Sequence, residues 1–103
     1  MASDFRLTGP ALKVIGQLLI APMDGLSGAD ISKATGVSSG TLYPILFRLE
    51  GAGWVSSEWE EGDPSLMGRP RKRLYQLTSS GTEKSKIAFH DLAPRIGRFV
   101  WES

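Results

Sequence analysis

Residues 27–53 read SGADISKATGVSSGTLYPILFRLEGAG, and this stretch decides the fold. Ser27, followed three residues later by Asp30, resembles a capping box in which Asp takes the place of the usual Glu. Gly36 suits the left-handed residue that follows the end of a helix. The pattern therefore predicts a short helix of about two turns that closes at Gly36.

A second helix follows this turn almost at once. Ser38 suits its N-cap, and the run Gly51-Ala52-Gly53 stops it after Leu49 or Glu50. Two helices joined by a short glycine-containing turn form a helix-turn-helix, whose second helix can lie in a DNA major groove. On a helical wheel, one face of this second helix is apolar and is predicted to be core. Its residues are Leu42, Ile45, Leu46 and Leu49.

The opposite face of the second helix carries the candidate DNA contacts. Hydroxyls and backbone N–H groups at a helix N-terminus can bind phosphate oxygens or base edges, and a glycine allows close approach. Exposed Tyr43 and Phe47 are hard to explain on an isolated soluble helix, so coverage by a hairpin or a partner subunit is the alternative. Pro44 removes one intrahelical hydrogen bond, at a cost of roughly 3 kcal/mol. The candidates on this helix are Ser38, Ser39, Gly40, Thr41, Tyr43 and Arg48.

Further elements flank this stretch on both sides. Thr8 and Pro10 suit the cap and the first turn of an earlier helix that runs to about Ile20. Its apolar stripe is wider than a small core needs, which burial against a second subunit or inside the protein would explain. Downstream, residues 54–60 and 71–78 predict two strands around a loop, because aromatic and β-branched residues are bounded by turn formers.

The predicted hairpin carries a dense basic cluster at its tip. Four of the 12 basic residues of the chain fall within five positions, just after four of the 11 acidic residues. The four are Arg69, Arg71, Lys72 and Arg73. Such a cluster can bind a phosphate backbone although the net charge is only +1; a solvated turn that aids solubility is the alternative. Arg73 alternates away from Lys72 and is expected to pair with Glu58 or Glu60.

A final helix is predicted after the hairpin. Residues 80–83 read SGTE and fit a capping box, while Pro94 should kink the helix or split it just before the proline. The fold class is therefore mainly α with a small β-hairpin, in the order helix, helix, helix, strand, strand, helix. We divide the chain into residues 1–78 as a DNA-binding region and residues 79–103 as a C-terminal helix of the same compact domain.

Composition excludes several classes of function. The 103 residues suffice for one domain, and 41% hydrophobic and 22% charged residues are typical of a globular protein. Without cysteine and with His90 as the only histidine, disulfides, thiolate zinc sites, cysteine catalysis and multi-histidine metal centres are excluded. No apolar run approaches the roughly 20 residues of a membrane span, and no signal peptide is recognised. We expect a cytoplasmic protein that is not an enzyme and uses no metal, cofactor or membrane.

Three segments together make the chain resemble the PadR family of bacterial transcription regulators. They are GTLYPILFRLE at residues 40–50, GAGWV at 51–55 and GRPRKRLYQLT at 68–78. The resemblance covers residues 7 to about 92 and is far more specific than a generic helix-turn-helix pattern. It implies a winged helix-turn-helix fold, with the hairpin as the wing. It also implies DNA contacts by Ser39, Thr41, Tyr43 and Arg48 from the recognition helix and by Arg69, Arg71 and Lys72 from the wing.

The resemblance further implies a homodimer joined through the first and last helices. The short C-terminal segment is similar to the branch of the family that lacks a larger C-terminal domain. The candidate interface residues are Leu12, Ile15, Leu19, Phe89, Leu92, Ile96 and Phe99. Trp101 either lines a pocket between subunits for planar aromatic compounds, as in some short members, or it packs in the dimer core or frays at the helix end. We favour packing or fraying. Phe47 departs from the polar residue usual in the family, which leaves the base preference there open.

With the resemblance, these observations favour a dimeric regulator that binds a double-stranded DNA operator. The resemblance implies that it is a repressor and that an effector, where one exists, releases it; a small aromatic compound is the candidate. One alternative is a small-molecule or multidrug sensor with a secondary DNA role, which tryptophan quenching by planar ligands would support. Another is a winged helix that serves only as a protein-interaction module. Absence of any DNA binding at low salt would support that third hypothesis.

Overall fold

A computed structural model describes residues 7–101, and the side chains of residues 7–90, as five helices and three strands. The helices are α1 (Gly9–Leu19), α2 (Gly28–Thr35), α3 (Ser39–Gly51), α4 (Pro64–Met67) and α5 (Ser79–Trp101). The strands are β1 (Leu26–Ser27), β2 (Val55–Trp59) and β3 (Arg73–Leu77). The strands form one antiparallel sheet in the order β1-β3-β2.

The predicted caps of the first two helices are confirmed. The Thr8 hydroxyl accepts a hydrogen bond from the Ala11 N–H at 3.2 Å. At the start of α2 the Asp30 N–H donates to Ser27 Oγ at 3.1 Å, and the Ser27 N–H donates to the Asp30 carboxylate at 3.4 Å, which completes the capping box. Hydrogen bonding from the Ser27 side chain is the main reason that the pKa of Asp30 lies below its usual range. Gly36 ends α2 with a φ of 78°, as predicted.

One apolar core lies between helices α1–α3 and the sheet. The four residues of α3 that the helical wheel assigned to the core are all buried. They pack with side chains of α1, α2 and the hairpin, including Val14, Ile15, Leu18, Ile31, Trp54, Val55 and Tyr75. Ile15 has no exposed surface, so this residue, which we predicted at the dimer interface, belongs to the core of the protomer. Burying one such side chain contributes about 1.5–3 kcal/mol.

The hairpin is present where the sequence predicted it, with two elements that were missed. Strands β2 and β3 pair from Val55 opposite Leu77 to Trp59 opposite Arg73. The two-residue strand β1 adds to the other edge of β3. The connecting loop also contains α4, a single helical turn. Asp63 is its N-cap, since the Ser65 N–H donates to the Asp63 carboxylate at 2.9 Å. Pro64 fits the first position of that turn because its missing N–H would have no partner there.

Helix α5 begins one residue earlier than its predicted cap. The capping side chain is Thr78 rather than Ser80, because Thr78 Oγ1 accepts a hydrogen bond from the Gly81 N–H at 2.9 Å. The helix is continuous to Trp101, so Pro94 does not split it. The side chains of the predicted interface residues Leu92, Ile96 and Phe99, and that of Trp101, lie outside the described residues.

Candidate nucleic-acid interface

The outward face of α3 is open to solvent in the protomer. The side chain of Phe47 is 79% exposed and that of Tyr43 is 46% exposed, so the hairpin does not cover either of them. Gly40 and Pro44 lie on the same face and are exposed as well. Pro44 stands inside an otherwise regular helix, where it cannot donate a hydrogen bond to the carbonyl of Gly40.

The N-terminus of α3 differs in one respect from the expectation. Ser38 is the N-cap residue, but its side chain makes no capping hydrogen bond with the helix backbone. Instead, Ser38 Oγ lies 3.5 Å from the hydroxyl of Thr41. Both residues and Ser39 are exposed, so three hydroxyls face solvent at the positive end of the helix.

Tyr43 is held at one edge of this face by its contact with α2. Its ring and hydroxyl lie directly over Gly28, where a Cβ atom would collide with them. A shallow groove of about 160 Å³ runs past this contact, and its lining includes Tyr43 of α3, Gly28 of α2, and Lys72 and Tyr75 of the wing. Burial raises the pKa of the Tyr75 phenol, and Tyr43 acts in the same direction. The recognition helix and the wing therefore share one continuous surface.

The wing is braced by an ion pair that the sequence did not reveal. Two guanidinium nitrogens of Arg69 donate to the two carboxylate oxygens of Glu60 at 2.7 and 3.0 Å. The Lys72 N–H donates to the same carboxylate at 3.2 Å. The hydrogen bonds from Arg69, followed by that from Lys72, lower the pKa of Glu60 to about 2. Both side chains are partly exposed, so we assign this pair an orienting role rather than a large stabilisation.

Arg73 does not pair with Glu58 or Glu60, which corrects the prediction. The strand register places it opposite Trp59, with its guanidinium carbon 5.2 Å from the ring centroid. Its Nε donates to Ser57 Oγ at 2.9 Å. The cation–π contact follows from the register, which the alternation of the sequence could not fix.

The basic residues that face solvent at the wing are Arg71 and Lys72. The Nε of Arg71 donates to the Gly62 carbonyl at 2.7 Å, so the loop orients this guanidinium while its two terminal nitrogens have no hydrogen bond within the described residues. Arg69 differs because Glu60 already occupies its guanidinium. All nine residues predicted to contact DNA are exposed. Two of them, Arg71 and Lys72 of the wing, carry a charged group that makes no ion pair with a described residue.

The predicted dimer contacts lie on and near α1. Leu12, Leu19 and Phe89 are partly buried in the protomer, and Leu19 and Phe89 pack against its core. Helix α1 lies against α5 at Gly16, where a Cβ atom would be in ordinary van der Waals contact with the ring of Phe89, at 3.8 Å. The assignment of these residues to a dimer interface stays a prediction.

Within residues 7–90, no three His, Asp or Glu side chains are grouped so that they could hold a metal ion. None of the described helices combines the length and the apolar character that crossing a membrane requires.

The family model described as Transcriptional regulator PadR-like family matches residues 25–87. No curated protein matches the chain. Among solved structures, Staphylococcus aureus MepR in its DNA-binding conformation is similar, with a TM-score of 0.72 and 23% identity over 96% of this chain and 66% of MepR. The S. aureus MepR–DNA complex has a TM-score of 0.66 and 23% identity over 92% of this chain and 71% of that one.

A third similar structure is smu.1704 from Streptococcus mutans UA159, with a TM-score of 0.66 and 28% identity over 90% of this chain and 86% of that chain. This chain spans slightly less than two thirds of MepR in its DNA-binding conformation. At 23% identity, the likeness to MepR shows a shared winged-helix fold.

Proposed function

Since this chain belongs to the PadR-like family of transcriptional regulators, we propose that it binds a near-palindromic operator in double-stranded DNA as a homodimer. Residues 1–78 form the DNA-binding region and residues 79–103 the dimerisation helix. Each subunit places α3 in a major groove and the wing beside the adjacent minor groove. The two half-sites are then about one helical turn apart, roughly 34 Å.

One observation carries this proposal: Tyr43 of α3 and Lys72 of the wing line the same surface groove and are both exposed. A duplex that follows this groove meets the recognition helix and the wing together. The hydroxyls of Ser38, Ser39 and Thr41 then face the backbone or base edges at the helix N-terminus. Arg48 supplies a further cation on the same helix for a phosphate.

The wing supports the proposal through its charges. Arg71 and Lys72 present a guanidinium and an ammonium group to solvent, and each can neutralise one phosphate. Guanidinium groups beside a minor groove are favoured where its potential is most negative, over A·T runs. We assign Arg69 an indirect role, since its pairing with Glu60 fixes the shape of the wing tip.

Selection of bound sequences from a random DNA pool would give the operator, and fluorescence anisotropy on that operator tests the wing. Arg71→Ala should lower the slope of log affinity against log salt by about one unit, because one phosphate contact is lost. Met23→Ala, at a 94% exposed residue outside both elements, is the control. Unchanged affinity of Arg71→Ala at every salt concentration would count against the wing as a DNA contact.

The recognition helix is tested in the same assay. Tyr43→Ala should weaken operator binding by about 1–3 kcal/mol if its hydroxyl or ring contacts DNA. Loss of affinity for operator and random DNA alike would indicate a phosphate contact. Loss for the operator alone would indicate a base contact.

We further propose that the cytoplasmic dimer acts as a repressor and that a small planar aromatic effector releases it from the operator. Tryptophan quenching by such a compound, lost in Trp101→Ala, would support this regulation. If the same compound also releases the protein from operator DNA, it is an effector. If it quenches tryptophan fluorescence without releasing DNA, it is a ligand without regulatory effect. Quenching without any operator binding would favour the sensor hypothesis instead.

A further inference from the structure

The centre of the outward face of α3 carries no polar side chain. At 100° per residue, the positions directly opposite the buried stripe are Gly40, Pro44, Phe47 and Gly51. None of these four side chains can donate or accept a hydrogen bond. Recognition of a base by hydrogen bonds from side chains is therefore confined to the edges of this face.

Phe47 is the only large side chain at that centre. Tyr43, its neighbour one turn earlier, is held against Gly28 at the edge of the face and is only 46% exposed. Phe47 is 79% exposed, and its side chain is larger than those of Gly40 and Pro44 on the same face. A duplex that approaches α3 in its major groove meets this ring first.

Only one base offers an apolar group in the major groove of unmodified DNA, and it is thymine with its 5-methyl group. A phenyl ring set against the polar edge of another base would remove water from donors or acceptors and give them no partner. We propose that Phe47 recognises thymine methyl groups near the centre of each half-site. This inference rests on the proposed operator binding and names the chemistry that the helix selects.

The surroundings of the ring favour DNA rather than a protein as its partner. Arg48 lies next to it in sequence and is exposed. The only acidic residue of α3, Glu50, accepts a hydrogen bond from Ser57 of β2 at 2.8 Å, which holds this carboxylate toward the sheet. The exposed face of α3 therefore combines an apolar centre with positive charge, which suits a methyl group inside an anionic groove.

The test replaces thymines by deoxyuridine in the selected operator, one position at a time, because this change removes the methyl group and leaves base pairing intact. At one or two positions per half-site, wild-type affinity should fall about fourfold, the effect of one buried methyl group. Phe47→Ala should bind thymine and uracil operators equally well. Phe47→Leu, which keeps an apolar side chain, should retain part of the preference, and Met23→Ala should retain all of it.

Three outcomes would overturn the inference. An operator that binds equally well with uracil at every position contradicts it and leaves the proposed function intact. A thymine preference that persists unchanged in Phe47→Ala assigns the methyl contact to another residue. If no operator can be selected and DNA binding is absent at low salt, the proposed function fails, and capture of a protein partner that Phe47→Ala abolishes would then identify the true occupant of this face.

Discussion

At Gly28, the absence of a side chain decides where Tyr43 lies. The tyrosine ring rests on the first turn of α2 because there is no Cβ atom in its way. This contact keeps Tyr43 at the edge of the exposed face of α3 and leaves the centre to Phe47. A residue outside the recognition helix thus controls which side chains that helix presents.

Gly28→Ala should destabilise the protein by about 0.5–1.5 kcal/mol in urea unfolding, because the new methyl group forces the far end of the half-exposed Tyr43 side chain out of its rotamer. In a Tyr43→Ala background the same change should be neutral or stabilising, since alanine is the better helix former by about 1 kcal/mol. The difference between the two backgrounds is the coupling energy of the pair. Equal destabilisation in both backgrounds would show that the clash involves something other than Tyr43.

Ser85 is a polar residue whose hydroxyl is buried without a hydrogen-bond partner among the described residues. It lies in α5 with no exposed surface. A buried hydroxyl without a partner costs about 1–3 kcal/mol. Ser85→Ala should therefore raise the unfolding free energy by about 1 kcal/mol in thermal or urea denaturation. Ser80→Ala, at an exposed position of the same helix, is the control, and a loss of stability in Ser85→Ala would reveal a partner for the hydroxyl.

At the scale of the element, the wing is a hairpin whose tip is ordered by its own charges. Glu60 continues the ladder beyond β2, since its N–H donates to the Lys72 carbonyl at 2.7 Å. Its carboxylate then binds Arg69 and the Lys72 N–H from the returning strand. The acidic residue Glu60 in a wing that we propose to bind DNA thus has an orienting role, because it aligns the backbone that carries Arg71 and Lys72.

This arrangement predicts a specific pH dependence. The pKa of Glu60 is lowered from 4.5 to about 2, so the contribution of the ionised carboxylate is fully present above about pH 4.5 and is lost as the pH falls toward 2. The Lys72 amide proton, followed by NMR, should report this titration with a midpoint near 2. In Arg69→Ala, the midpoint should move up toward 4.5, because the largest cause of the shift is gone. A wild-type midpoint near 4.5 would mean that the ion pair does not form in solution.

At the scale of the whole molecule, one side of α1 is buried in the core of the protomer and another side is partly exposed. Ile15 is completely buried in the protomer, whereas Leu12 on the same helix keeps part of its surface exposed. In a dimer, a substitution at Ile15 should therefore change the stability of the protomer, and a substitution at Leu12 should change the dissociation constant of the dimer. Ile15→Ala should lower the unfolding free energy by about 2–5 kcal/mol, as other truncations in a core do.

Leu12→Ser should instead raise the dissociation constant of the dimer, measured by sedimentation equilibrium. It should also weaken the rise of Tm with protein concentration that a dimer produces. An exposed change on α2, Lys33→Ser, serves as the control. If Leu12→Ser leaves the dissociation constant unchanged, α1 does not contribute this residue to the interface.

Much of the fold could be predicted from the sequence because each main helix carries its own start and stop signals. The capping box at Ser27, the left-handed Gly36 and the apolar stripe of α3 are all local, and all are confirmed. Strand β1 was missed because two residues show no periodicity, and because Ser27 was already explained as a helix cap. The prediction of Ser80 as the cap of α5 is wrong because Thr78, which the sequence pattern assigns to the preceding strand, supplies the capping hydroxyl.

The partners of the charged residues could not be predicted for a different reason. Which acid meets which base across a hairpin depends on register, and a shift of one residue changes every pair. The register puts Arg73 opposite Trp59 and brings Arg69 back to Glu60. The exposed residues of α3 could be predicted without knowing any strand register, because sequence spacing alone determines which residues share a face of a helix.

Ser27 belongs to two elements at once. It pairs with Leu74 as part of β1, and its side chain caps the first turn of α2. Ser27 therefore connects the wing directly to the helix-turn-helix. If the chain binds DNA as proposed, the two halves of its contact surface are already aligned, and association with a duplex loses little conformational entropy in aligning them. Operator affinity should then depend on how well the spacing of the grooves matches this alignment, so that the protein discriminates between DNA shapes as well as between bases.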